Sequence, residues 1–302
     1  MQASVQRSRQ FLIFSCLLLV VATAQAHYPD PQERDVIKKE YDVRPGGTLH
    51  LDLDYGQVEI ETLSGNKVMI ELERTAQAEN RETAKSILEQ HEYGFDKKND
   101  DVHIRSRFNK ERGLIKLRKR RKLRIKIAVR VPEHYNVDFS SGAGNIEIEE
   151  IEGHIKGSTG AGNIIINDVR GVVDVSAGAG NIEITGDIKR ANVKSGAGNI
   201  NLYGLQGYVD AGTGAGNILA VITQQPEQDS KLHSGAGNVI VELPDDVSVY
   251  VDATAALGSA QCDFPLKVSR KGLSKSFAGE INGKGPEIRM RAGVGNVTLR
   301  RN

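Results

Sequence analysis

The sequence predicts an all-β chain folded as a parallel β-solenoid, β-helix-like, with about 18 residues per coil and one short helix near residues 80–92. Three observations carry this. Gly-Ala-Gly-Asn recurs with its Asn at Asn145, Asn163, Asn181, Asn199 and Asn217, a constant step of 18 residues. Aliphatic residues alternate after each Asn, as in Ile146/Ile148, Ile164/Ile166, Ile182/Ile184 and Ile200/Leu202. Glycine is abundant at 32 residues against 8 prolines, with no Gly-X-Y period, so tight turns are frequent and collagen is excluded.

Residues 1–26 read as an export signal. Arg7 and Arg9 give a positive start without acids, and Phe11 to Val21 is an apolar run too short to span a bilayer comfortably. Ala24-Gln25-Ala26 is a small-residue cleavage pattern, so Ala26 and His27 flank the expected cut, with a retained N-terminal anchor as the alternative. The expected location is the periplasm, the outer surface or the medium. Cleavage removes two Arg and moves the formal net charge from +1 to −1. Only Cys262 then remains, so no intramolecular disulfide forms and packing must supply the stability. No later segment is apolar enough to cross a membrane.

Residues 27–41 read as an N-terminal linker and 42–302 as a single solenoid domain. Within it, 42–140 are irregular coils with the helix and a basic segment, 141–240 are the regular repeats, and 241–302 are C-terminal coils. Residues 42–73 look like a degenerate first coil. Gly56-Gln57-Val58-Glu59-Ile60 matches the repeat element, and Val68 to Leu72 reads as its returning strand. Ala84, Ile87, Leu88 and His91 fall at helical spacing behind Asn80, a candidate N-cap. That helix is expected to cover an open surface or end of the solenoid. Val102 to Phe108 and Leu123 to Val131 read as strands. In the second, Leu123, Ile125, Ile127, Val129 and Val131 share one side, opposite Arg124, Lys126 and Arg130.

The 18-residue windows repeat their logic. The post-Asn strand is followed by a Gly-containing turn near Gly153, Gly171 and Gly207. A second alternating strand follows, with Ile155, Val173/Val175, Val193 and Val209. Such a unit buries its apolar face only by stacking on its copies about 4.8 Å apart. The apolar spacing divides as two nines, which disfavours a left-handed hexapeptide helix. The glycines suit turns with positive φ. The Asn has two readings: a left-handed turn conformation, or a side-chain amide stacked along the axis. Two later copies end at Asn238 and Asn296. In the C-terminal coils, Val247 to Val251, Ile288 to Met290 and Val297 to Leu299 read as strands. Gly279 to Gly285 reads as a loop, and Arg300 and Arg301 as a polar last coil.

Pro45-Gly46-Gly47-Thr48-Leu49 before a first strand, the helix near 80–92, the Val131-Pro132 step and the serial Gly-x-Gly-Asn-Ile elements together resemble DUF4097. This is a bacterial, adhesin-like family of exported β-strand repeat proteins. The resemblance covers roughly residues 40–301. It implies a surface or adhesive role and brings no ligand and no catalytic residues with it.

Function classes narrow accordingly. With 40 Lys+Arg against 39 Asp+Glu, the chain is no general nucleic-acid binder. Its most uneven charge lies between His103 and Val131, with Glu111 the only acid. The residues nominated there for a polyanion are Arg105, Arg107, Lys116, Arg118, Lys119, Arg120, Arg121, Lys122, Arg124 and Lys126. For an exported protein the matching partner is a lipopolysaccharide phosphate, an anionic lipid or an acidic surface glycan. The same charges would equally serve as a solvated edge that resists aggregation. A protein partner stays open, and nucleic acid is not expected because few aromatics interleave with the run.

No cofactor or metal is expected. Calcium β-rolls need an Asp in the Gly-rich turn, where this chain carries Asn. The seven His are scattered, and Cys262 reads as a small buried residue. Glu147, Glu149, Asp174, Glu183 and Asp210 are the carboxylates that a carbohydrate-active β-helix enzyme would need, but outward strand positions carry acids routinely. The leading expectation is a non-catalytic exported adhesion or interaction scaffold. Polyanion binding through residues 105–130 is the first alternative, and an enzyme the second.

Overall fold

The structure, a computed structural model, describes residues 32–108 and 122–302. The expected export signal with its Ala26/His27 junction lies outside the described residues, as do Lys116, Arg118, Lys119, Arg120 and Arg121.

Strands β1 (Gln32–Asp42), β2 (Thr48–Leu53), β3 (Gln57–Leu63) and β4 (Lys67–Gln77) precede helix α1 (Arg81–Glu89). Next come β5 (His91–Lys98), β6 (Asp101–Phe108), β7 (Leu123–Pro132), β8 (Asn136–Ser141) and β9 (Ile146–Glu149). The regular repeats hold β10 (Glu152–Ala161), β11 (Ile164–Ala179), β12 (Ile182–Ala197), β13 (Ile200–Ala215), β14 (Ile218–Ile222), β15 (Ser230–Ala236) and β16 (Val239–Leu243). The chain ends with β17 (Val249–Leu257), β18 (Ala260–Cys262), β19 (Ser269–Lys271), β20 (Ser274–Ile281), β21 (Glu287–Val294) and β22 (Val297–Arg301).

The coils stack in parallel with the expected 18-residue register: Ile164 pairs with Ile182, and Ile182 with Ile200. Inward Ile and Val form continuous buried columns, such as Ile148, Ile166, Ile184 and Leu202. This is the all-β solenoid that the repeat predicts. One detail differs. In β11, β12 and β13 the two expected strands of a coil merge into one element of 16 residues. The turn between them is a set of register shifts, for example between Ile166/Val169 and Gly171/Val172. Pairing to the neighbouring coil continues through the corner, so the ladder bends there without breaking.

At the Gly-Ala-Gly-Asn corner the two readings of the Asn are resolved. The positive φ belongs to the glycine before it, as at Gly162 and Gly180. Each Asn side-chain oxygen accepts the backbone N–H of the Asn in the next coil. Amide-to-amide bonds are added where Asn217 Nδ2 donates to Asn199 Oδ1 (3.3 Å) and Asn238 Nδ2 to Asn217 Oδ1 (3.0 Å). Asn181 N–H donates to Asn163 Oδ1 (2.9 Å), and Asn199 N–H donates to Asn181 Oδ1 (2.9 Å). The same bond links Asn145, Asn217, Asn238 and Asn296, and ends on the N–H of Ser259. Each side chain thereby satisfies a backbone donor that the corner leaves unpaired. Inward hydroxyls add to this: Ser195 Oγ donates to Gly180 O (3.0 Å), and Ser234 Oγ to Gly216 O (2.7 Å). Asn181→Ala is therefore expected to cost about 1 kcal/mol in urea unfolding, and Asn181→Asp less, because Asp keeps the acceptor.

The order of coils in space departs from the order in sequence at both ends. On one face the strands run β5–β6–β2–β8–β10–β11–β12–β13–β15–β21–β17–β20–β19. On the other they run β1–β4–β7–β3–β9–β11–β12–β13–β14–β16–β22–β18. The β6–β7 coil thus lies outside β2–β3, and β17–β18 lies outside β21–β22. Antiparallel strands lie beyond β6, β7 and β17, which blunts edges that would otherwise template further pairing, while β18 is the last strand of its face.

Several expectations are corrected by this order. Val68 to Leu72 lies in β4 and runs antiparallel to β1 and β7, so the partner of β3 in the first coil is β2. Residues 32–41, expected as linker, belong to strand β1. Gly279 to Ile281 lie inside β20, where a loop was expected. Arg300 and Arg301 close the chain in β22, which is an inner coil in space and is flanked by β16 and β18.

Helix α1 starts as expected: the Asn80 Oδ1 accepts from Thr83 N–H (2.8 Å). Ala84, Ile87 and Leu88 are buried, and the helix packs on β4, β1 and β5, over the first pole of the stack. His91 lies beyond its end, as the first residue of β5. Arg74 of β4 is buried beneath, donates to the carbonyls of Leu88 (3.0 Å) and His91 (3.4 Å), and pairs with Asp35. A cation at the helix C-terminus satisfies its last carbonyls.

Burial, then the nearby Arg74 charge, lowers the His91 imidazole from its ordinary value to about 4. The unfolded chain binds this proton near pH 6.5, while the folded chain refuses it until about pH 4. Stability should therefore fall as pH drops through that window, by up to about 3 kcal/mol, and level off below it. In urea unfolding, His91→Gln should show a smaller loss between neutral and acid pH than the parent. Equal losses would contradict the assignment.

Candidate interaction surfaces

The basic segment is where the sequence points first. Five of its nominated residues are described, and β6 and β7 hold four of them on outward positions. Lys122 lies just before β7. Neighbouring strands meet these cations with acids. Arg105 Nη2 lies 3.3 Å from Asp96 on β5, and Arg107 is paired with Asp52 on β2. Lys126 Nζ lies 2.7 Å from Glu59 on β3, and Arg130 Nε lies 3.4 Å from Glu61. The Asp52 hydrogen bond raises the Arg107 pKa above its ordinary value, and the Glu59 hydrogen bond raises that of Lys126. Pairs this exposed add little stability, but they neutralise the field that a polyanion would meet.

Lys122 and Arg124 differ. Among the described residues neither has an ion-pair partner. Both line an open cleft of about 820 Å³ with Gln32, Gln57, Gln77, Lys126 and one acid, Glu73. The structure thus leaves the described cationic surface of this segment to Lys122 and Arg124, and takes Arg105, Arg107 and Lys126 into ion pairs.

The opposite chemistry is dispersed. Glu147 and Glu149 share a depression of about 220 Å³ with Glu59 and Glu61. Glu183 is two strands further along, with Ile165 between it and Glu147 in register. Asp174 and Asp210 lie on the other face. The five carboxylates nominated for catalysis are therefore not brought together. Among the described residues no group of three or more His, Cys, Asp or Glu is placed to hold a metal ion. Cys262 is half-buried, and burial raises its thiol pKa.

The face that carries Asp174 presents a feature that single motifs did not reveal. Outward side chains stand in strict register along the axis, from His103 and His50 through Asp138, Lys156, Asp174 and Asn192. The His50 and His103 rings stack at 4.5 Å with 8° between planes. His50 Nδ1 lies 3.7 Å from Asp138, and Asn192 Nδ2 donates to Asp174 Oδ1 (3.1 Å). The signal for this row was present in the repeat period, but its two ends needed the coil order. At the corners, Ala161 and Ala179 face solvent. Among the described residues no helix is long and apolar enough to cross a membrane.

The sequence pattern of the family described as Toastrack DUF4097 matches residues 48–300. The chain is also similar to several solved structures. A candidate adhesin from Bacteroides fragilis NCTC 9343 is 14% identical, with 89% of this chain and 97% of that chain covered and a TM-score of 0.47. A candidate lipid-binding protein from Parabacteroides distasonis ATCC 8503 is 9% identical, with 87% and 96% covered and a TM-score of 0.38. A candidate cell adhesion protein from Clostridium sporogenes ATCC 15579 is 14% identical, with 89% and 100% covered and a TM-score of 0.29. At these identities and scores the likenesses say nothing of what this chain binds. No curated protein matches the chain.

Proposed function

We propose, on the premise that this chain belongs to the Toastrack DUF4097 family, that it is a non-catalytic exported scaffold of the cell envelope or surface. In this reading residues 1–26 direct export and are removed, and the chain from His27 acts in the periplasm, on the outer surface or in the medium. The observation that supports it is the in-register row of outward polar side chains from His103 to Asn192, repeated about every 4.8 Å. Such an array meets an extended partner, such as a surface glycan or another protein, through many equivalent weak contacts, without a deep pocket.

The test is binding of residues 27–302 to envelope fractions and surface glycans, with glycan chain length followed in the same samples. The reading expects binding without turnover. It also expects weaker binding when Lys156 and Asp174 on the row are both replaced by Ala. Turnover of the glycan that a single change such as Glu147→Gln abolishes would refute it.

A second reading keeps the polyanion, because among the described residues Lys122 and Arg124 have no ion-pair partner and stand beside an open cleft. It expects affinity that falls steeply with salt and is lost when Arg118 to Lys122 are neutralised. Binding that is indifferent to either change would remove it.

A further inference from the structure

We propose that the pole of the solenoid opposite helix α1 docks on an anionic lipid surface through the hairpin of β19 and β20. This site lies at the end of the stack away from the described basic residues Arg105, Arg107, Arg124 and Lys126 of β6 and β7, and does not depend on the scaffold reading above.

The hairpin closes the stack. β20 pairs antiparallel with β17, and the three residues of β19 pair with β20, so β19 is the outermost strand of its face. Gly272-Leu273 makes the two-residue turn between the paired Lys271 and Ser274, with Gly272 at φ +63. Residues 267–273 are all exposed. Leu273, at the tip, is 70% exposed, more than any other large apolar residue among those described, and Val268 is 43% exposed.

The charge around this apolar tip has one sign. Between Asp263 and Glu280 the chain carries Lys267, Arg270, Lys271 and Lys275 and no acid. Among the described residues none of these four cations has a carboxylate partner. Arg270 Nε donates to Gly272 O (3.1 Å), and Lys275 Nζ donates to Ser259 Oγ (3.3 Å). At the other pole, by contrast, Arg105, Arg107 and Arg130 are each met by an acid from an adjacent strand.

Edge cations alone would be explained by protection against strand pairing. That explanation does not call for a leucine held out in water at the tip. Cations that ring exposed aliphatics fit a bilayer interface, where the aliphatic enters the acyl boundary and the cations stay among anionic headgroups. A soluble polyanion would use the charges and leave Leu273 in water, so the lipid surface is the occupant that uses both. Docking at a pole would stand the rod end-on, with its polar row free.

The test uses residues 27–302, which hold every described strand and the whole core. Co-sedimentation is measured with vesicles of mixed phosphatidylglycerol and phosphatidylcholine, with phosphatidylcholine alone, and with soluble polyphosphate as competitor. Partitioning onto the anionic vesicles is expected. Each cation near such a surface strengthens partitioning by about five-fold, so replacing all four by Gln should weaken it by at least ~100-fold. Leu273→Ser should weaken it by about ten-fold with the melting temperature unchanged.

As a second readout, an environment-sensitive dye at Leu273→Cys, in a Cys262→Ser background, should shift to the blue on anionic vesicles. Three results overturn the proposal: Leu273→Ser binding like the parent with no dye shift; equal binding to phosphatidylcholine alone; or loss only on neutralising Arg118 to Lys122. The last would assign the lipid contact to the basic segment and support the polyanion reading instead.

Discussion

Gly180→Val is expected to destabilise the protein by more than ~4 kcal/mol, enough to unfold the middle of the stack near body temperature. Gly180 sits at φ +145, a conformation that β-branched side chains avoid. A Cβ there would fall 2.1 Å from the carbonyl oxygen of Gly162 in the preceding coil. That oxygen is backbone, and the flanking N–H groups of Gly162 and Asn163 are held by Ala179 O (2.9 Å) and Asn145 Oδ1 (3.0 Å), so it cannot turn aside. Relief would require the coils to part, and the Asn163–Asn181–Asn199 ladder runs through the same corner. Glu183→Val, exposed in the same coil, is the control and should change stability by less than ~1 kcal/mol. Urea unfolding of both variants checks the difference. Similar midpoints would contradict the corner assignment.

Ile184→Ala is expected to cost about 2–5 kcal/mol. Ile184 is fully buried and stacked between Ile166 and Leu202 of the neighbouring coils. The backbone on both sides is held by ladder bonds, so the cavity left by the truncation cannot collapse. Ile184→Val should cost only about 1 kcal/mol. Because each coil contacts only its neighbours, a core loss in the middle of the stack removes both interfaces of one coil. A cost for Ile184→Ala below that of Asn181→Ala would show that the column is not packed as described.

The period of the repeat made the middle of the molecule legible. Its 18-residue step sets the register, and the parity of Ile164, Ile166, Val173 and Val175 sets the buried side. Asn80 marked the helix start because an N-cap is a local device. The ends were not legible, because no period states which coil lies outermost. Placing β6–β7 outside β2–β3 depends on which edge was free when the chain returned, and that is a property of the assembled stack.

The partners of the basic segment were not legible for the same reason. The acids that meet Arg107 and Lys126 are Asp52 and Glu59, more than fifty residues earlier in the chain. A charge count within a window cannot see them. The hairpin at 269–275 carried a local signal in Lys271-Gly272-Leu273. Its importance came only from being last in the stack and from the exposure of Leu273.

The central claim is that the described chain is one rod, with α1 and β5 at one pole and β19 at the other. Spin labels at Glu92 and Arg270, in a background without the native cysteines, measure this in a single distance. The two positions lie on strands separated by twelve ladder steps. At about 4.8 Å per step the account predicts a narrow distribution centred near 58 Å. A broad distribution, or a maximum below about 40 Å, would contradict the stacking order and with it the two separate poles.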